Sequence, residues 1–218
     1  VFRRLADWGD YVIGDTYSAA NEGLKGRVVR DVAIERGKSS FGTLLDIVIA
    51  DELKTILWPT PQDDDAESWR MRAELWQDGR AMIGGSDAGA HLDRMCGAPY
   101  PTRWLADCIR GRKLVPVEFA VKMMTSQPAK LFGLVDRGEL REGACADVVV
   151  FNPDEIGSED AMLVTDLPGN SSRLTAGSFG VKRVLVNGVT IVENGVANGA
   201  VPGTVLKSGK DTYTVLAR

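Results

Sequence analysis

Histidine is nearly missing from this chain: His91 is the only one in 218 residues, so no HxH pair exists to anchor a metal site. Cysteine is scarce as well. Cys96, Cys108 and Cys145 are an odd number at irregular spacings with no CxxC pair, which excludes a zinc knuckle and a thioredoxin-like redox motif and fits a reducing, cytoplasmic setting. Basic clusters are also absent: 26 Lys and Arg are scattered among 30 Asp and Glu, the net charge is −4, and nothing offers a footprint for nucleic acid. No apolar run approaches the ~20 residues of a membrane span, and the start at Val1 carries neither a signal-like region nor an initiator Met, which points to a fragment. Neither an internal repeat nor a low-complexity segment is present.

What is present is the composition of a soluble globular protein, 44% hydrophobic and 26% charged. From Ser39 to Leu53 the residues Phe41, Leu44, Leu45, Val48, Ile49 and Leu53 recur at three- and four-residue spacings behind a capping Ser, the pattern of an amphipathic helix. Asp64 followed by Glu67 resembles a capping box and predicts a second helix through Gln77, with Trp69, Ala73 and Trp76 on one face and a stop at Gly79. Asp63, Asp64 and Asp65 are read as helix-start residues in preference to a cation site. The short apolar stretch Arg80–Gly85, bounded by that helix and by glycines, reads as a buried parallel strand. Thr102 can cap a helix carrying Trp104, Leu105, Cys108 and Ile109. Pro116 can open another carrying Phe119, Ala120, Met123 and Met124, and Pro128 a last one ending at Gly133.

Beyond Leu140 the pattern turns to strands. Ala146–Asn152 is almost continuously β-branched, and Val181–Val186 and Val189–Glu193 flank Asn187-Gly188, the pair suited to a type I′ hairpin turn. Between them, Glu155–Ser178 reads as a long loop. Met123 and Met124, the Trp residues at 58, 69, 76 and 104, and Cys96 and Cys108 are most simply core fillers.

The stretch with most chemical content is Gly84-Gly85-Ser86-Asp87-Ala88-Gly89-Ala90-His91. An acid among glycines at a strand's carboxyl end sits where barrel enzymes place catalytic groups. The residues alone leave two readings open, a functional Asp87 or an Asp87 that caps a turn. One Asp with one His does not close a site that needs three or four ligands.

Six ordered runs add a family resemblance. Ile83–Asp93, Tyr100-Pro101-Thr102-Arg103-Trp104-Leu105, Thr125 through Leu134, Gly138 through Phe151 and the upstream Leu24 through Gly37 resemble the amidohydrolase superfamily, and within it the N-acyl-D-amino-acid deacylase branch, as does Val184-Leu185-Val186-Asn187-Gly188. The resemblance implies an α/β fold. Residues 1–140 would be the C-terminal half of a metal-binding (β/α)8 barrel and 141–218 the C-terminal share of a small β-sandwich. It implies zinc, one or two ions in the complete enzyme, and hydrolysis of a non-peptide C–N bond, most simply the amide of an N-acyl amino acid. It also implies that Asp87, the acid of the last barrel strand, contacts the metal and serves as general base.

Ser86 and His91 then become candidate substrate contacts, and Arg94 and Arg103 candidate partners of a substrate carboxylate, each against a plainer role as a turn or surface residue. A complete barrel runs to about 250 residues, so the family's other metal ligands would lie outside this chain, which is expected to persist only with its missing half bound or by pairing with a second copy. A cyclic amidase of dihydroorotase or hydantoinase type, and a non-catalytic scaffold that completes a partner chain, are the rival readings.

Overall fold

The computed structural model describes residues 6–60, 63–86 and 88–216, and the chain divides into two compact units, Val1–Asp64 and Asp65–Arg218. In the first unit, strand β1 (Val12–Ile13) pairs antiparallel with β2 (Leu57–Trp58), beside helices α1 (Val29–Glu35) and α2 (Ser40–Ala50). Its core is Ile13, Leu24, Val29, Val32, Leu44 and Ile47. As expected, Ser39 caps α2, its hydroxyl accepting a hydrogen bond from the Gly42 amide at 3.1 Å. The helix ends earlier than Leu53 because Glu52 and Leu53 take left-handed backbone conformations. Its buried side is Thr43, Leu44 and Ile47, whereas Phe41, Leu45 and Ile49 face outward, so α2 is apolar around more of its circumference than one covered face requires.

Asp51, just past the end of α2, is buried yet fully engaged. It accepts from the Ser18 amide at 2.7 Å, Asn21 Nδ2 at 2.8 Å and Thr55 Oγ1 at 2.6 Å. Asn21 Nδ2 also donates to the Ile47 carbonyl at 2.8 Å, which the Asp51 amide shares at 3.2 Å, so side chain and backbone together tie the end of α2. Burial raises the Asp51 carboxyl, but the hydrogen bonds from Thr55, Ser18, Asn21 and Tyr17 outweigh it and hold the group below the usual carboxylate range.

The second unit begins with α3 (Ala66–Gln77), capped by Asp65, whose carboxylate accepts from the Ser68 amide at 3.0 Å; the cap is one residue later than the Asp64-Glu67 spacing suggested. Ala73 is buried and Trp76 meets Trp104 edge-on at 4.5 Å, in line with the aromatic face read from sequence. Helix α4 (Tyr100–Ala106) continues into a π-helical turn (Asp107–Gly111), followed by α5 (Val117–Met124) and α6 (Ser126–Leu131). Pro116 opens α5 as expected, with Ala120 and Met123 buried. Two starts differ. Thr102 lies inside α4, its hydroxyl donating back to the Pro99 carbonyl, and α6 starts at Ser126 with Pro128 in its first turn, where a missing amide costs nothing.

The stretch 80–85 forms no strand: Arg80 lies in a turn in which the Ala81 amide donates to the Asp78 carbonyl at 2.9 Å, no described segment supplies the ladder that a parallel strand needs on both sides, and Gln127 Nε2 donates to the Ala81 carbonyl at 2.5 Å. Every described strand pair is antiparallel. Strands β3 (Val148–Phe151), β8 (Val181–Val186), β9 (Val189–Glu193) and β10 (Val196–Ala197) form one sheet in the order β10-β9-β8-β3. Asn187 and Gly188 both have positive φ, the type I′ turn that the dipeptide predicted.

The expected loop 155–178 is instead built from β4 (Gly157–Ser158), β5 (Met162–Leu167), β6 (Ser171–Thr175) and β7 (Ser178–Phe179), with β5 and β6 closed into a hairpin by Pro168-Gly169-Asn170. Turn-forming residues so close together masked four short strands. Helices and strands are thus both present, with the change from one to the other near residue 140 falling inside the second unit. No described helix is long and apolar enough to cross a membrane.

Candidate active site

The segment that follows α3 leaves regular structure at Asp78 and regains it only at α4. Asp78 and Arg80 pair at the exit, where Arg80 holds the Asp78 carboxyl below its ordinary range. The chain then runs through Gly84 and Gly85 to Ser86, whose hydroxyl accepts from the Ala88 amide at 3.2 Å. That bond closes a serine turn, the plainer of the two roles considered for Ser86. Asp87 lies outside the described residues.

Past it, Gly89 and His91 take positive φ, and the His91 carbonyl accepts from the amides of Arg94 and Met95, both at 2.9 Å. The left-handed turn at a non-glycine residue carries a cost that its surroundings must cover. His91 itself is exposed. Arg94 is 69% exposed and pairs with its neighbour Asp93 at 3.1 Å, which holds the Asp93 carboxyl low. Arg103 is on α4, exposed, and makes no ion pair among the described residues. Ser86, His91 and Arg94 therefore share one exposed loop, and Arg103 sits on the helix into which that loop leads. Such a loop can present hydrogen-bond donors and the Arg94 guanidinium to an anionic ligand.

Metal-binding capacity is a separate matter. Among the described residues no group of three or more His, Cys, Asp and Glu is placed to hold an ion. Cys108 is buried against Leu105, Val115 and Ala120, and burial followed by the Asp107 charge pushes its thiol up to about 12, so it is a core residue and not a thiolate ligand. The described residues do not fit a zinc site by themselves. Trp69, for its part, stacks under Arg112 at 4.1 Å and Arg72 at 4.6 Å, and Trp58, Trp69, Trp76 and Trp104 are each half-buried, not in the fully buried core that the sequence suggested.

Comparison with known proteins gives these features a context. The chain is 36% identical to the N-acyl-D-glutamate deacylase of Alcaligenes xylosoxydans xylosoxydans over 115 residues, 50% of this chain and 22% of that protein. It is 31% identical to the D-aminoacylase of the same organism over 189 residues, 84% of this chain and 34% of that protein. The chain thus spans 22% to 34% of the length of these two curated relatives. Among solved structures, the N-acyl-D-glutamate deacylase from Bordetella bronchiseptica complexed with zinc and a phosphonate inhibitor is similar with a TM-score of 0.49 at 27% identity, covering 91% of this chain and 38% of that one. The model of the amidohydrolase family matches residues 22–192, most of the chain, and the chain belongs to that family.

Proposed function

We propose that this chain is the C-terminal part of an N-acyl-D-amino-acid deacylase, a metal-dependent hydrolase of non-peptide amide bonds. The observation that carries the reading is the continuous similarity to D-aminoacylase over 84% of the chain. Support comes from the other two curated relatives, whose names also specify an acyl group on the nitrogen of a D-amino acid. In this reading residues 1–140 belong to the last part of a (β/α)8 barrel and 141–218 to a β-sandwich. Zinc is the cofactor that the family resemblance implies. Its ligands must come largely from outside the described residues, so no chemical step is assigned to it here.

This chain's own contribution is the loop after residue 80. Asp87 is the general base: it takes the proton of the attacking water and returns it to the leaving amine nitrogen. Arg94 and Arg103 take the carboxylate of the acylated amino acid, because a guanidinium offers two parallel donors to it. Ser86 and His91 complete the mouth through hydrogen bonds.

The test uses the intact enzyme: elemental analysis for zinc, native mass, and amine release from matched N-acyl-D- and N-acyl-L-amino acids. Zinc with selective cleavage of the D-series is the expected result. A zinc-loaded protein that opens only cyclic amides would overturn the substrate class. A metal-free species that cleaves neither would leave the scaffold reading standing.

A further inference from the structure

The loop that carries the candidate substrate residues is held at four places, its start, its end, its neck and its middle. Its start is fixed by Gln127 donating to the Ala81 carbonyl, and its end by β4, where Ser158 Oγ lies 2.6 Å from Thr102 Oγ1 and donates to the Pro99 carbonyl at 3.2 Å. At the neck, Gly97 passes so close to the turn that a Cβ there would collide with the Ser86 carbonyl and press on the Ala88 amide. The middle of the loop is held by the β5–β6 hairpin. The Leu174 amide donates to the Leu92 carbonyl at 2.7 Å, between His91 and Arg94 in sequence.

That hairpin pairs with no other strand among the described residues. A two-stranded hairpin alone is marginal in water. Leu174, buried in an otherwise half-exposed strand, is the residue by which it docks. Leu174 lies opposite Leu163 in the register, and because its amide is given to Leu92, it is not part of the β5–β6 ladder at that point. The bidentate pair between Arg173 and Asp166, both nitrogen–oxygen distances 2.7 Å, braces the strands next to that residue.

We propose that the β5–β6 hairpin is a positioning strut for the substrate loop, with the Leu174 amide as its contact, so that it governs substrate affinity without touching substrate. The inference rests on the reading of His91 and Arg94 as substrate contacts. Two variants of the intact enzyme test it. Leu174→Pro removes both the amide donor and the buried leucine side chain by which the hairpin docks, while the ladder bonds, made from neighbouring positions, stay in place. Excision of 162–175 with a Gly-Ser link across the Met162–Thr175 pair removes the strut altogether and keeps the test available should the proline variant fail to fold.

Two readouts are compared: tryptic cleavage after Arg94, with cleavage after exposed Arg36 in the first unit as internal control, and KM against kcat for an N-acyl-D-amino acid. Loss of the contact should speed cleavage after Arg94 and raise KM by at least about 3- to 10-fold each, the factor that one net hydrogen bond alone is worth, with kcat unchanged. Unchanged cleavage after Arg94 in a folded variant overturns the strut, and so does a fall in Tm with equal acceleration of cleavage after Arg36. Faster cleavage with KM constant leaves the strut in place and instead sinks the substrate reading of the loop.

Discussion

The first unit and the loop 81–98 of the second unit solve opposite problems. In Val1–Asp64, two short helices and a two-stranded ribbon bury Ile13, Val29, Val32 and Ile47 almost completely, and the buried Asp51 has donors on every side. In 81–98 none of the described residues is fully buried, the turns use positive φ at Gly89 and His91, and the arginine it carries is matched among the described residues by the neighbouring acid. Packed apolar groups supply stability and tolerate little change, whereas exposed groups on an irregular loop are available to a ligand. Stability and chemistry in this protein are therefore open to separate measurement.

The widest separation is expected from Asp87→Ala, which should lower kcat for amide hydrolysis by about 10²- to 10⁴-fold, the usual worth of a general base, with Tm unchanged. A residual rate near that of the parent enzyme would remove Asp87 from catalysis. Ile47→Ala should do the reverse: loss of a fully buried side chain costs about 2–5 kcal/mol in denaturant unfolding. If that variant unfolds at the parent midpoint, the first unit's core is not packed as described.

A subtler contrast comes from pH. Because the Asp51 carboxyl is held below its unfolded value of about 3.9, its contribution is fully present above that value and is lost as pH falls through the folded pKa. Acid unfolding followed at Trp8 and Trp58 should lose this limb in Asp51→Asn, while a pH-independent difference would mean that the carboxylate's charge is irrelevant. The smallest effect has the opposite sign. The Thr43 hydroxyl is buried in α2 with no hydrogen-bond partner among the described residues, so Thr43→Val should stabilise by about 1 kcal/mol. A destabilised Val variant would show that the hydroxyl is satisfied in solution.

Local signals were legible where neighbours in sequence decide the outcome. Ser39 caps α2, Pro116 opens α5, and Asn187-Gly188 turns the β8–β9 hairpin, because each depends on a few adjacent backbone groups. The face of α2 was less legible. Its apolar residues surround the helix, so periodicity selected Phe41, Leu45 and Ile49 along with Leu44, and packing buried Leu44 with Ile47 and left the others outward. The stretch 80–85 failed as a strand for a related reason: apolar character marks a candidate, but a strand exists only where another segment hydrogen-bonds to it. The β5–β6 hairpin escaped notice because Pro168-Gly169-Asn170 and the surrounding serines resemble loop composition.

Of the candidate site, the residues came from sequence and their setting did not. Ser86, His91, Arg94 and Arg103 stand out by type and by family resemblance, and their order along the chain already puts three of them on one loop. That Leu174, 82 positions beyond Leu92, holds the middle of that loop could not be read from either residue, since a backbone amide looks the same at every position. Composition, caps and turn dipeptides are properties of neighbours and are written in the chain, while burial, the pairing of strands and the anchoring of the loop are decided by residues distant in sequence that only the folded structure brings within hydrogen-bond reach.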